Sequence, residues 1–448
     1  MKSFDIQRFI DDRPLGRAHY TVLALIVLVL FVDGFDIFMV GKIAPAIAED
    51  FGVSSAAMTL VFLLQQAGLA IGSFVVSPLA DHFGRKRMLV VSTAIFGLLS
   101  ILTAFATSIV MLALLRGVSG LFLAGTMPFC MALMAEFAPR RRRSTFLALG
   151  VAGYSAGSAA GAAVALLVPH YGWESGFWIG GLWPLLLAPL LMRWLPESLA
   201  YRVARDPADP EIPRTIARID PGVRLTGEEM FVTPDARSGG QKSTLVDMFR
   251  EGRMRASLII FAACFLSMGN IALLAAWLPT FFQEMGGISI QRFAIVSMIG
   301  FIGGLLGTVT IGFLMDHVRP TLLIPIYYLG VAAMLTLMGH VPFGTPQFVV
   351  LLIIWGFCQS GGQAGLNLLM AQIYPTAVRS TGVGWSGGMG RIGGVVAPLF
   401  GGFALVSAFS LPLTLTLIAL PPVIVAGLIL LLKPIRKQPA AAALQRAG

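Results

Sequence analysis

The stretch LALIVLVLFVDGFDIFMV, residues 23–40, decides the fold, because it is long and apolar enough to cross most of a bilayer as one helix. Its only charged residues are Asp33 and Asp36. Carboxylates at such depth are costly, so they face a protein interior or a watery cavity and usually mark an ion or proton pathway. The stretch therefore predicts a transmembrane helix and makes transport the first functional hypothesis.

The whole chain has the composition of a membrane protein. Of its 448 residues, 56% are hydrophobic and 12% are charged, far from the average of soluble proteins. Apolar runs of spanning length recur twelve times in two groups of six. They lie at 20–45, 57–80, 88–106, 110–135, 145–168, 176–195, 256–283, 291–315, 320–340, 347–371, 381–406 and 410–432. The fold class that we predict is an all-α membrane protein with twelve transmembrane helices in two six-helix bundles.

Three domains follow from this spacing. Residues 1–195 should form an N-terminal tail and a six-helix bundle, residues 196–255 a cytoplasmic linker, and residues 256–448 a second six-helix bundle and tail. The linker is predicted from its charges and its six prolines. Near its end, the segment from Ser243 to Phe249 predicts a short amphipathic helix.

The net charge of +10 would suggest nucleic acid in a soluble protein, but here the Lys and Arg residues follow the predicted topology. They occupy the N-terminal tail, the even-numbered links and the C-terminal tail, while the odd-numbered links are nearly free of them. This alternation is the positive-inside rule, so both termini should be cytoplasmic. Nucleic-acid binding is not expected, because topology accounts for the basic residues.

Other function classes lack their motifs. Cys130, Cys264 and Cys358 lie singly in separate apolar spans, without disulfide or metal spacing. No nucleophile elbow, phosphate-binding loop or metal-ligand motif is present. We therefore expect no enzyme, no metal site and no cofactor. The N-terminus lacks the features of a cleavable signal peptide, so the first span should be retained.

The two halves are related in sequence. Three pairs of motifs align at nearly constant offsets of 234, 235 and 236 positions, namely Pro45 with Pro279, Asp81 with Asp316, and Pro139 with Pro375. This predicts pseudo-symmetric parallel repeats, an arrangement in which a substrate site forms near the bilayer midplane between halves that rock around it.

Several motifs carry a family resemblance. The segment Asp81-His-Phe-Gly-Arg-Lys-Arg87 resembles the signature loop of the major facilitator superfamily, with Ser77 and His82 at positions where that loop usually has Gly and Arg. Further motifs resemble the aromatic acid:H+ symporter family within it. These are Asp33-Gly34-Phe35-Asp36, Arg116-Gly117 with Gly120 and Gly125 to Pro128, Trp277 to Thr280, Tyr374 to Thr376, Arg379 to Gly382, and Gly390 to Gly393.

The resemblance implies proton-coupled uptake of an aromatic carboxylate such as 4-hydroxybenzoate, by alternating access, across a bacterial cytoplasmic (inner) membrane. Its partners would be a small aromatic carboxylate, H+ and the lipid bilayer. Two alternatives stay open. A proton-driven exporter of drugs or metabolites has the same fold, although Arg116 and Arg391 favour anions, and a transporter-like sensor would bind without transport.

Asp33 and Asp36 are the predicted proton-coupling residues. Their spacing places them on one helix face, and both burial and mutual repulsion disfavour the charged form of a carboxylate. One of the pair could therefore exchange a proton readily, as coupling requires. The alternative is that both are structural, pairing with a cation or with span ends.

Arg116 and Arg391 are the predicted substrate-binding residues. By helical rise, Arg116 lies at the same depth as Asp33, so a substrate carboxylate could compete for its guanidinium and release the acid. A permanent ion pair or an outer gate is the alternative for Arg116. Arg391 lies near the midplane among glycines and could clamp a carboxylate, or else hydrogen-bond to backbone carbonyls.

Charged residues at span ends are predicted to gate the cytoplasmic side. We expect Glu136 to act as a conformational latch by pairing with Arg85, Arg87 or the cluster that begins at Arg140, with a proton relay as its alternative. The full set of predicted gating residues is Asp81, Arg85, Arg87, Glu136, Asp316 and Arg379.

Overall fold

The computed structural model describes residues 2–220, 222–223, 229–232, 249, 253–374 and 379–432. Within these residues, twelve helical segments are long and apolar enough to cross a membrane, which confirms the predicted number. The amphipathic helix predicted from Ser243 lies outside the described residues, apart from Phe249, and so does the basic C-terminal tail.

The first repeat contains six spanning helices and three shorter elements. In chain order these are β1 (Lys2–Asp5), α1 (Ile6–Asp12), α2 (Arg17–Asp50), α3 (Met58–Phe83), α4 (Arg85–Thr103), α5 (Ile109–Phe137), α6 (Arg143–Ala163), α7 (Val168–Tyr171) and α8 (Glu174–Trp194). Short 3-10 helices cover Ser55–Ala57, Arg140–Arg142 and Val164–Leu166. Helices dominate because lipid offers the backbone no hydrogen-bond partners, so each span must satisfy its own.

The linker and the second repeat follow. The linker contains α9 (Leu199–Arg205), α10 (Glu211–Ile219) and β2 (Glu229–Val232). The second repeat contains α11 (Met254–Glu284), α12 (Ile290–His317), α13 (Pro320–Met338), α14 (Pro346–Ile373), α15 (Arg379–Val396), α16 (Pro398–Val406), α17 (Leu411–Ile418) and α18 (Leu420–Leu430). The eleventh span combines α15 with α16, and the twelfth combines α17 with α18.

Close glycine contacts show that the two repeats pack alike. A side chain at Gly68 or Gly72 of α3 would overlap the carbonyl oxygens of Gly117 and Leu121 on α5. In the second repeat, Gly303 and Gly307 of α12 approach the carbonyl oxygens of Ile353 and Phe357 on α14 in the same way. The glycines correspond at an offset of 235 and the carbonyls at 236. The second and fourth helices of each repeat therefore meet through equivalent small-residue seams.

By packing, the chain divides into two compact units. The first comprises Met1–Gln241, Gly269–Phe301 and Arg391–Thr414, and the second comprises Lys242–Met268, Ile302–Gly390 and Leu415–Gly448. In the first unit, Trp277 of α11 packs edge-on against Phe62 of α3, with ring centroids 5.1 Å apart. Ser55 donates a hydrogen bond of 2.6 Å to Glu284. The division at residues 195 and 255, drawn from the sequence repeat, stays a prediction.

The N-terminal tail and the linker fold together. Strand β1 pairs in parallel with β2, with Phe4 opposite Phe231. Ile6 and Ile10 of α1 are buried in the same apolar cluster as Ile212 of α10. This cluster continues into α2, α5 and α8, so the described part of the linker caps the first bundle. The prolines and charges of the linker predicted only a connecting segment. The strand pairing was not predicted, because it joins residues more than 200 positions apart in the chain.

Candidate functional site

Asp33 and Asp36 are both buried in α2, with exposed fractions of 3% and 0%. Both carboxylates are buried because neighbouring helices pack closely around them. A side chain at Gly34 would overlap the carbonyl oxygen of Tyr154, so α2 and α6 approach each other at this level. The absence of a Cβ at Gly34 thus allows α6 to cover the helix face next to the two carboxylates.

Asp36 forms an ion pair with Arg116 of α5. Nη1 of Arg116 donates to Oδ1 of Asp36 at 3.0 Å, and Nη2 donates to Oδ2. Both side chains are fully buried. The guanidinium also lies over the ring of Phe177, 5.6 Å from its centroid, and its Nε donates to Gln65 at 3.5 Å. The arginine is therefore held on several sides.

This pairing corrects one sequence-based expectation. The depth estimate matched Arg116 with Asp33, whereas the structure pairs it with Asp36, one helical turn further along α2. The estimate compared backbone positions, and a long arginine side chain spans more than one turn of a neighbouring helix. Arg116 thus takes the ion-pair alternative in this structure and does not present an open clamp for a carboxylate.

Asp33 has a different environment. Its Oδ1 is buried without a hydrogen-bond partner among the described residues. It interacts electrostatically with Asp36 and with Arg391 of α15, and it is also close to Tyr154 and Cys130. A buried carboxylate without an ion pair is costly. The two predicted proton-coupling residues therefore differ, because within the described residues Asp36 forms an ion pair and Asp33 does not.

Arg391 is half-buried beside this unpaired acid. Its Nη1 donates to the backbone carbonyl of Leu69 at 3.4 Å, which is the alternative weighed from the sequence. The other guanidinium donors make no hydrogen bond within the described residues. Arg391 therefore joins α15 to α3 and keeps donors for another acceptor.

An aromatic pair lies next to Asp33. The rings of Phe38 and Tyr154 meet edge to face, with centroids 6.1 Å apart, and both residues are half-buried. Trp277, another aromatic of the same unit, is fully buried and donates to the carbonyl of Pro398 at 2.8 Å. Phe38 and Tyr154 are thus better placed than Trp277 to meet a ligand.

The second unit contains a polar network that sequence reasoning missed. Ser267 Oγ lies 2.5 Å from the Tyr328 hydroxyl and donates to Gln363 Oε1 at 2.6 Å. Gln363 donates in turn to Asn367 at 3.2 Å. Ser267 corresponds to Asp33 at the repeat offset of 234. The repeat offset, taken together with the polar residues inside α14, could have predicted this network.

Of the predicted gating residues, the structure joins Arg85 and Glu136. They form an ion pair, and Glu136 also accepts a hydrogen bond of 2.5 Å from Ser198 of the linker. Arg87 is exposed. The backbones of Asp81, Asp316 and Arg379 belong to helices, but their side chains lie outside the described part of the structure.

The linker also binds the start of α4. Glu197 accepts hydrogen bonds from the backbone N–H of Lys86 at 2.8 Å and of Ser198 at 2.9 Å. Gly84, the single residue between α3 and α4, has a φ of 98°, a conformation that favours glycine. A side chain at Gly84 would also overlap the carboxylate of Glu197. The signature loop is therefore shaped to receive the linker.

Within the described residues, no group of three or more His, Cys, Asp and Glu side chains could hold a metal ion. Each of the three cysteines is free and buried.

Comparisons with known proteins agree with this architecture. The family model of the Major Facilitator Superfamily matches residues 26–394 and 287–448. A gallate transporter of Pseudomonas putida is 36% identical over 418 residues, covering 93% of this chain and 92% of that protein. A 4-hydroxybenzoate transporter of the same organism is 33% identical over 435 residues, covering 96% and 97%.

Among solved structures, the inward-open xylose transporter XylE of E. coli matches with a TM-score of 0.71 at 14% identity, covering 96% of this chain and 99% of that chain. This likeness shows the fold alone. Together with the twelve spans, the family match and these related transporters identify a multi-pass membrane transporter, not an enzyme. The chain belongs to the major facilitator superfamily, and within it to the group of the gallate and 4-hydroxybenzoate transporters.

Proposed function

We propose that the protein imports an aromatic carboxylate together with H+ across the bacterial cytoplasmic membrane, with both termini in the cytoplasm. The related gallate and 4-hydroxybenzoate transporters support the substrate class. The alternation of basic residues supports the orientation.

One observation carries the proposal of proton coupling. Asp33 is buried and makes no ion pair within the described residues, while Arg391 is close enough to stabilise its negative charge. When a substrate carboxylate pairs with Arg391, that stabilisation is offset, and the charged form of Asp33 becomes more costly. Asp33 then takes up a proton. Substrate binding and protonation thus favour each other.

Arg391 is the proposed carboxylate ligand because, within the part of the chain that the structure describes, only one of its donors makes a hydrogen bond. A guanidinium binds a carboxylate through two parallel hydrogen bonds, which fixes the orientation of the ligand as well as its charge. Phe38 and Tyr154 lie on the side of Asp33 and provide aromatic surface. We propose that the substrate ring packs against this pair, in an edge-to-face or offset-stacked arrangement.

Arg116 and Asp36 have a supporting role in this proposal. Their mutual hydrogen bonds occupy the groups that a ligand would need, and both side chains are fully buried. The pair holds α2 against α5, so that Asp33 keeps its position. The negative charge of Asp36 also makes a second charge at Asp33 unfavourable.

Proton coupling has an energetic purpose. Importing a monoanion against an inside-negative membrane potential costs about 2.3 kcal/mol for each 100 mV. One proton carried with each anion removes this cost, and further protons would drive accumulation.

Contacts between the two repeats at one end of the molecule support alternating access. Ser55 with Glu284, and Phe62 with Trp277, connect the two repeats at the end that we assign to the outside. These contacts must separate when substrate enters from that side. At the opposite end, we propose that Arg85 and Glu136 act as a latch within the first repeat, where Glu136 also binds Ser198 of the linker.

Uptake of radiolabelled 4-hydroxybenzoate into proteoliposomes tests the proposal. The unmodified protein should accumulate substrate when the outside is made acidic. Asp33→Asn should lose this accumulation but keep substrate exchange across the membrane, because a neutral amide still permits binding and rocking. Accumulation that ignores the pH gradient, or an Asp33→Asn variant that still responds to it, would refute coupling through this residue.

Asp12→Asn is the matched control. Asp12 is an exposed carboxylate of α1, with 71% of its side chain accessible, so this variant should respond to the gradient as the parent does. Exchange in the absence of a gradient also distinguishes a transporter from a sensor, which would bind the aromatic acid without exchanging it. The direction of net flux in cells separates import from export.

A further inference from the structure

A cavity lies outside the proposed transport site. It has a volume of about 510 Å³ and lies where the start of α2 and the end of α8 meet linker helix α10. The residues that line it include Arg17, His19, Arg193, Trp194 and Arg218. Two spanning helices and the linker thus contribute basic side chains to one place.

Three arginines, Arg17, Arg193 and Arg218, line this cavity, and all three are exposed. Within the described residues, none of Arg17, Arg193 and Arg218 is within ion-pair distance of a carboxylate. The neighbouring carboxylate Asp220 pairs with Arg13 at 3.1 Å. Apart from the longer-range attraction of Glu211 for Arg218, this cluster of positive charge is uncompensated within the described residues and favours an anion in the cavity.

His19 adds a neutral donor to the same cavity. It is 1% exposed, and its Nδ1 accepts a hydrogen bond of 3.1 Å from the backbone N–H of Gly16. The neutral ring therefore carries its proton on Nε2, which has no acceptor among the described residues. A buried donor without an acceptor costs free energy, which an oxygen ligand would recover.

The backbone contributes as well. Helix α2 begins at Arg17 and is 34 residues long, and its first turn, Arg17 to His19, lines the cavity. The start of a helix carries a partial positive charge and attracts anions, phosphate in particular. Side chains and helix dipole therefore select the same type of ligand.

The position of the cavity indicates where that ligand comes from. Trp194 ends the span α8 and is 50% exposed, and Tyr20 near the start of α2 is 55% exposed. Exposed Trp and Tyr at span ends are typical of the membrane–water interface, at the level of the lipid headgroups. Basic pockets between spanning helices at this level bind acidic headgroups.

We propose that this cavity binds the phosphate of an anionic phospholipid headgroup. The three arginines and His19 donate to the phosphate oxygens, while the acyl chains lie along α2 and α8. Because Arg218 belongs to α10, the lipid joins the linker to the first and last helices of the first bundle. A free phosphate ion has the same chemistry, so the test must separate the two sources.

Lipid binding to the purified full-length protein in detergent tests the proposal. Phosphatidylglycerol, phosphatidylcholine and inorganic phosphate are each titrated, with retained lipid followed by native mass spectrometry. Phosphatidylglycerol should bind about tenfold more tightly than phosphatidylcholine. The double variant Arg193→Gln and Arg218→Gln should weaken phosphatidylglycerol binding by about tenfold or more, because two charge-assisted hydrogen bonds are lost.

Arg214→Gln is the matched control, since Arg214 lies on the same helix α10 but pairs with Glu211 and does not line the cavity. It should bind phosphatidylglycerol like the parent. Equal binding by the parent and the double variant, or no preference for the anionic lipid, overturns the proposal. If inorganic phosphate binds as tightly as the lipid and the double variant loses both, the assignment to a lipid is overturned and the ligand is a soluble phosphate.

Discussion

The ion pair between Asp36 and Arg116 makes the sharpest prediction about stability. Both side chains are fully buried and bonded to each other. Removing one partner leaves the other charge buried without compensation, which costs about 3–5 kcal/mol. We therefore expect Asp36→Asn and Arg116→Gln each to lower the free energy of unfolding by this amount.

The double variant should be more stable than either single variant. With both charges removed, two neutral amides are left that can hydrogen-bond to each other, and replacing both partners of a buried pair is often close to neutral. We expect Asp36→Asn with Arg116→Gln to lie within about 2 kcal/mol of the parent. The corresponding neutralisation at Asp33, which lacks an ion pair within the described residues, should cost little stability or none.

Thermal unfolding in detergent, followed with a thiol-reactive fluorophore, measures these effects. The chain has three cysteines, and each is buried until the protein unfolds. If a bundle of about 200 residues unfolds as one unit, each single variant should lower the midpoint by about 6–20 °C. Single variants that unfold with the parent, or a double variant with the summed loss of both, would refute the assignment of a fixed structural pair.

Three further variants test packing, recognition and gating. Gly34→Ala should greatly reduce the yield of folded protein, because its Cβ would overlap the carbonyl of Tyr154; size-exclusion chromatography measures that yield. In uptake assays, Arg391→Gln should raise the KM for 4-hydroxybenzoate about ten- to a hundredfold, because a charge-assisted hydrogen bond worth about 1.5–3 kcal/mol is lost. The KM of Arg391→Lys should lie between those of Arg391→Gln and the parent. Glu136→Gln and Arg85→Gln should change the initial rate of uptake equally, and the double variant should add nothing to either, if the two residues act as one latch.

Each of these variants has a contrasting result. Gly312→Ala, at a glycine with open space around it, should give normal yield, and equal losses at both glycines would contradict the packing argument. An unchanged KM in Arg391→Gln would remove this residue from the substrate site. Additive effects at Glu136 and Arg85 would show that they act independently, and the unfolding midpoint should change little because this pair is partly exposed.

Much of the architecture could be predicted from the chain alone. The number of spans follows from apolar length, because each segment in lipid must satisfy its own backbone hydrogen bonds as a helix. The repeat offsets between Pro45 and Pro279, or Asp81 and Asp316, recur in the glycine seams at Gly68 and Gly303. These features are local or periodic, so they can be predicted from a sequence without knowledge of the contacts between distant residues.

The site could be predicted only as a set of candidates. Asp33 and Asp36 have the same chemistry and nearly the same depth, and helical periodicity places them on one face. Which of them pairs with Arg116 depends on the relative height and rotation of α2 and α5, and therefore on side-chain packing along the whole seam. The structure places the ion pair at Asp36 and leaves Asp33 beside Arg391.

The sequence by itself determined that this protein is a twelve-span membrane transporter with repeated halves, since bilayer thickness and backbone hydrogen bonding constrain every span in the same way. Only the tertiary structure decided which carboxylate is paired, and that the tail strand β1 joins the linker strand β2. Both outcomes depend on contacts between residues far apart in the chain. The free energy of each contact depends on the groups packed around it, so no local sequence pattern reveals it.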